Sequence, residues 1–171
     1  MARKISLRQF QEHLAARLSS AARGQAAAGL LGVKAGSRLW LLNLSDSGEI
    51  IPSPHLAPVP LTKPWFAGIA NIRGSLYSVA DLSAFLGGDP TPYNTNVRLL
   101  LVGGRYGSNA ALLVNRSLGL KNLDSLTVGA PDLSLPVWAQ ETYTDGEGRT
   151  WHKLNLKELL ADPDFMQIAA A

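Results

Sequence analysis

The chain of 171 residues contains no cysteine. Disulfides, thiolate-bound zinc, iron–sulfur clusters and thiol nucleophiles are excluded together. Histidine is scarce: His13, His55 and His152 lie far apart, with no HxH or HxxxH spacing. That removes the local metal-binding pairs of metallohydrolases. No apolar run approaches the roughly 20 residues that cross a bilayer. The N-terminus also lacks the continuous apolar core, about 7–15 residues long, of a signal peptide. The expectation is a cytoplasmic protein with no direct membrane insertion. Aromatic residues make up only 7% of the chain and apolar residues 46%, an ordinary globular balance.

A net charge of +3 invites a nucleic-acid reading. Its distribution argues against one. Residues 1–25 hold Arg3, Lys4, Arg8, Arg17 and Arg23 against the single acid Glu12. The remainder holds 11 basic and 12 acidic residues. The body therefore has no basic stripe to follow a phosphate backbone, and no nucleic-acid partner is expected.

Residues 6–23 read as an amphipathic helix. Ser6 and Gln9 have capping-box spacing. Leu7, Phe10, Leu14 and Leu18 fall on one face, and Gly24 is a stop. Residues 1–25 are accordingly expected to be a helical extension, separable from a domain covering 26–171. Beyond Gly29, short apolar runs are broken every 8–12 residues by glycine, proline, asparagine or aspartate. That spacing predicts an all-β sandwich or barrel. Strands are expected at 28–34, 38–44, 48–51, 68–73, 75–79, 97–102, 110–115, 137–144 and 150–154. Prolines 52, 54, 58, 60 and 64 make residues 52–64 an extended connector. Two short helices are predicted after Asp81 and Asn155, both good N-caps. They agree position by position, Leu82 with Leu156, Phe85 with Leu159 and Leu86 with Leu160, as a weak internal repeat of two β units would.

Recognisable chemistry is missing. There is no GxSxG elbow for a serine nucleophile. The stretch Gly103–Gly107 precedes a strand and lacks GK[ST], so it reads as a hairpin turn, not a phosphate loop. His152 reads as an ordinary strand histidine with a satisfied hydrogen bond. No cofactor motif is found. What stands out is "GIANIRG", residues 68–74, which sets Asn71 and Arg73 between glycines next to the proline-rich connector. An arginine on such a rigid exposed platform suits an interface anchor. The residues leave other classes open: a small β-barrel hydrolase or nucleotide-handling enzyme, and an OB-like nucleic-acid-binding module.

The block from Val59 to Gly88, "VPLTKPWFAGIANIRGSLYSVADLSAFLGG", resembles the signature block of the CheW-like chemotaxis coupling proteins. Pro64, Gly68, Asn71, Arg73, Gly74, Asp81 and Leu82 stand in the places of that pattern. "GEIIP" (48–52), "AALLVNRSLGL" (110–120) and residues 150–160 resemble its flanking segments. Asn115 stands where the family has an aspartate. The resemblance covers about residues 28–162. This version of the block is closer to the coupling protein of the type IV pilus system of twitching motility than to the flagellar member.

The resemblance implies a mainly β fold made of two five-stranded SH3-like barrels, with short helices after the barrels. It implies no catalysis and no cofactor. It implies two partners, the cytoplasmic tip of a methyl-accepting chemoreceptor and the regulatory domain of a CheA-type histidine kinase. Recruitment to membrane-associated receptor arrays follows. Partner contacts are expected at Asn71, Arg73 and Gly74, and at an apolar groove involving Ile50, Ile51, Leu113 and Val114. Alternation along a strand then predicts that one of Leu113 and Val114 faces outward.

Overall fold

The computed structural model describes residue 11 and residues 29–171, Gly103 excepted. Of the expected helix at 6–23 only Gln11 is described, in helical conformation, and the rest lies outside the described residues. Among residues 29–171, as described, eleven strands and three short α-helices follow in order. The strands are β1 (Gly29–Ala35), β2 (Arg38–Asn43), β3 (Ser47–Pro52), β4 (Phe66–Ile72), β5 (Ser75–Asp81), β6 (Arg98–Val102), β7 (Ala110–Val114), β8 (Arg116–Asn122), β9 (Thr127–Val128), β10 (Thr142–Thr144) and β11 (Thr150–Lys153). The helices are α1 (Leu82–Phe85), α2 (Leu156–Ala161) and α3 (Pro163–Met166). The fold is mainly β, as the sequence predicts.

The strands form two sheets. One has the order β8-β1-β2-β11-β10-β9, the other β3-β6-β7-β5-β4. The second sheet is thus an uninterrupted stretch of chain, while the first joins N-terminal strands to C-terminal ones. The first sheet has six strands where five were expected, and β9 contributes only two residues to it. Each sheet contains one parallel pairing, β11 with β2 and β5 with β7. One strand of each pair, β11 in the first sheet and β5 in the second, leads into a helix. Asp81 caps α1 by accepting from the amides of Ser83 and Ala84, and Asn155 caps α2 by accepting from Glu158 N. The two helices of the repeat therefore occupy matching places in the two sheets.

Side-chain alternation explains why the apolar runs are nearly continuous. Leu31, Val33, Trp40 and Leu42 of the first sheet meet Leu100, Leu112 and Val114 of the second in one core. Their neighbours point the other way. Leu99, Leu101, Ala111 and Leu113 fill the second sheet's own interior, while Leu30, Leu41, Tyr143 and Trp151 pack on the far side of the first. A strand with two apolar environments must be apolar at every position. An aromatic group joins the helices to this core, with Trp65 stacked on Phe165 at 5.7 Å and set edge-on to Phe85 at 4.9 Å.

Three details differ from the sequence expectation. Residues 137–144 are not one strand: Val137–Ala139 is a 3-10 turn, and only Thr142–Thr144 is extended. The carbonyl of Trp138 accepts from Asn155 N, and its indole donates to Asp162, which draws the residue towards α2 and α3. Strands β8 and β9 were not predicted. Strand β8 has Gly119 in its middle and no fully buried side chain, and it is held by backbone pairing along β1. Finally, His152 is buried at 8% exposure, but its Nδ1 has no hydrogen-bond partner among the described residues. It packs on Trp40 at 5.3 Å, and the indole nitrogen of Trp40 is equally unpartnered.

That environment makes stability depend on pH. Burial holds the His152 imidazole below its usual pKa and Arg38 adds to the depression, while Asp132 and a hydrogen bond to the backbone of Ala139 oppose it. The unfolded chain takes up this proton near pH 6.5, while the folded chain resists it. Stability is therefore complete above about pH 6.5 and declines as the pH falls below it, down to the folded-state value. Thermal midpoints measured from pH 7.5 to 5 should fall for the parent. They should fall less for His152→Phe. Parallel curves for the two proteins would contradict this account.

Candidate interaction surface

Strands β4 and β5 are joined by Arg73 and Gly74 alone, with Ile72 paired to Ser75. Both turn residues have positive φ, 53° at Arg73 and 85° at Gly74. That is the two-residue hairpin whose twist matches the flanking strands. Glycine adopts it freely and arginine does not. The Asn71 side chain supports the turn by accepting from Gly74 N at 3.0 Å. At the other end of β4, Gly68 (φ 131°) lets the connector approach, since a Cβ there would lie 2.4 Å from the carbonyl oxygen of Ala57. Two backbone bonds between Ala57 and Ile69 then hold the connector against the strand. The "GIANIRG" motif is thus one mechanical unit: a clamped strand ending in a turn that lifts an arginine off the surface.

Arg73 is 72% exposed and donates through two nitrogens to the two carboxylate oxygens of Glu49, at 2.9 and 2.6 Å. Glu49 lies on β3, at the opposite edge of the same sheet. The pair spans the two edges, so the sheet is curled towards closure. The arginine's hydrogen bonds hold the Glu49 carboxyl below its usual pKa, and the carboxylate in turn raises that of Arg73. Both groups therefore remain charged at neutral pH. A fork-shaped pair of this kind, open to solvent, can exchange partners with a carboxylate or guanidinium on another protein.

The structure brings together some of the expected contact residues and separates others. Asn71, Arg73 and Gly74 share one turn. Ile50 and Ile51 follow Glu49 on β3 and are half-buried, one facing each core. Leu113 and Val114 do not face them across a groove. Ile51 pairs with Leu99, and Leu99 with Leu113, so these residues are neighbours along one sheet. The expected outward position on β7 is corrected as well: Leu113 is 5% exposed and Val114 is 0% exposed. Alternation holds, but β7 is flanked by β5 and β6 and covered on both faces. Glu49 and the 60%-exposed Leu76, which pairs with Asn71, were not singled out from the sequence. A carboxylate in a strand of otherwise uncharged residues was the available signal for Glu49.

Among the described residues no group of three or more histidines, aspartates or glutamates is placed to hold a metal ion. Ser75 and His152 stand on different sheets. No helix among the described residues is long and apolar enough to cross a membrane.

Comparison with known proteins gives three results. A family model described as the CheW-like domain matches residues 29–164. Protein PilI of Pseudomonas aeruginosa is 30% identical over 105 residues. That match covers 60% of this chain and 58% of the relative's length. The crystal structure of the scaffolding protein TtCheW from Thermoanaerobacter tengcongensis superimposes with a TM-score of 0.65 at 17% identity. It covers 80% of this chain and 94% of that one, and shows a shared fold.

Proposed function

This chain belongs to the CheW-like domain family, and from that premise we propose that it is a non-catalytic adaptor in chemosensory signalling. It couples the cytoplasmic tip of a methyl-accepting chemoreceptor to the regulatory domain of a CheA-type histidine kinase. The pathway it serves controls type IV pilus twitching motility, a reading supported by the match to PilI. The protein works in the cytoplasm at membrane-associated receptor arrays. Residues 26–171 form the adaptor unit and 1–25 an extension.

The observation that carries this reading is Arg73. An exposed arginine held in a left-handed conformation costs stability, and such strain persists where function requires it. The turn holds the guanidinium on the outer surface, paired only to a solvent-exposed carboxylate among the described residues. Asn71, Gly74, Ile50 and Ile51 surround or adjoin this pair and complete the proposed contact. A bivalent adaptor needs no chemistry. It raises effective concentration and fixes geometry between partners.

The test is recovery of partners by the tagged protein from extract of its own cells. Kinase and receptor should be retained together. Recovery of nucleic acid with neither of them would overturn the proposal in favour of a nucleic-acid-binding module.

A further inference from the structure

A second surface, away from the Arg73 turn, has features of a docking site. A mostly apolar cavity of about 150 Å³ is lined by Trp65, Phe66, Ala110, Phe165, Met166 and Ile168. Met166 at its rim is 60% exposed. Close by, Leu61 is 84% exposed and has φ 58°, a conformation that a bulky side chain avoids. It is held there by backbone bonds: Leu61 O accepts from Ala170 N, and Lys63 N donates to Ile168 O. The fold thus spends strain to present large apolar side chains beside an apolar hole.

The first described strand begins at this end of the molecule. Gly29 O accepts from Leu44 N, two residues before Asp46. Asp46 accepts from Tyr106 OH, and Tyr106 is two residues before Ser108 on the cavity wall. The five residues 24–28 can extend to about 17 Å. The stretch 6–23, as a helix, would add about 27 Å. The chain before Gly29 is therefore long enough to bring residues 6–23 to the cavity. Their sequence also suits it. Leu7, Phe10, Leu14 and Leu18 form an apolar stripe, and a cavity of this size accepts a benzene-sized group. The excess of arginine and lysine in residues 1–25 is complementary to Glu158, Asp162 and Asp164 around Phe165, which outnumber the nearby bases Lys157 and Lys63. We propose that residues 6–23 dock in cis on this surface, with Phe10 in the cavity. The claim does not depend on the adaptor reading.

Because the chain has no cysteine, engineered thiols are the only ones present. In the full chain, Phe10→Cys with Met166→Cys should form an intramolecular disulfide on mild oxidation, at a rate independent of dilution. Two control pairs should be slower by about tenfold or more. One is Ala16→Cys, from the face opposite the stripe, with Met166→Cys. The other is Phe10→Cys with Leu120→Cys, on an exposed strand position near Gly29. Equal rates for all three pairs would overturn the proposal, because a freely roaming segment reaches every site. Bridging only between chains would overturn it too, by assigning the surface to a second copy. Should the double variants fold poorly, Phe10→Asp alone should raise binding of an apolar dye severalfold at an unchanged circular dichroism spectrum. Unchanged dye binding would refute docking.

Discussion

Arg73→Glu should keep a thermal midpoint within about 2 °C of the parent and lose about 30-fold or more of its affinity for kinase or receptor. The stability part follows from the geometry. Both side-chain hydrogen bonds of Arg73 go to one exposed carboxylate, and none ties down a backbone carbonyl among the described residues. The turn is held by Asn71, Gly74 and the β4–β5 pairing, all of which the substitution leaves in place. The binding part follows from the projection of a charged fork with the Glu49 carboxylate at its side. Reversing the charge places two carboxylates where a partner expects one of each sign. Arg73→Asn sharpens the test, because asparagine tolerates the left-handed conformation better than arginine. That variant should fold at least as stably as the parent and still lose affinity. Melting and binding are read on the same samples. A destabilised Arg73→Glu that still binds would show that the arginine serves the turn and not a partner.

Val114→Asp should fail to give a folded domain. Val114 is fully buried on β7, between the two sheets, with Leu112 and Leu100 in the same core. A carboxylate placed there without a partner must be desolvated or take up a proton. A loss of roughly 3–5 kcal/mol is comparable to the whole stability of many domains, about 5–15 kcal/mol. Circular dichroism should lose the β signal, and kinase and receptor binding should vanish together. Leu113→Asp should behave alike, since it faces the interior of the second sheet. Leu113→Met, of similar volume, should cost less than about 1.5 kcal/mol and leave both partners bound. A folded Val114→Asp lacking receptor binding alone would restore the exposed groove that the burial of β7 contradicts.

The residues at this surface show how local and distant information divide. Asparagine, arginine and glycine between two apolar runs already spell a tight hairpin, because glycine's conformational freedom acts within two residues. The same holds for Asp81 and Asn155, whose short side chains reach backbone amides two or three positions ahead. Most of the strands were legible because their apolar runs are bounded by turn residues. Strand β8 was not, since it is kept by hydrogen bonds from β1 and carries little apolar signal of its own.

Taken alone, the sequence determined the β class, the turns, the caps and the lack of catalytic motifs, since each rests on neighbours along the chain. The tertiary structure alone decided how many faces each strand buries. Leu113 and Val114 look like an ordinary alternating pair, and only the tertiary structure makes both interior, Val114 between the two sheets and Leu113 inside its own curled sheet. It also decided that Glu49 meets Arg73 across 24 residues, because curling a sheet brings its two edges together. Pairing between distant strands depends on which partners remain free once the whole chain has folded, and no local pattern encodes that choice.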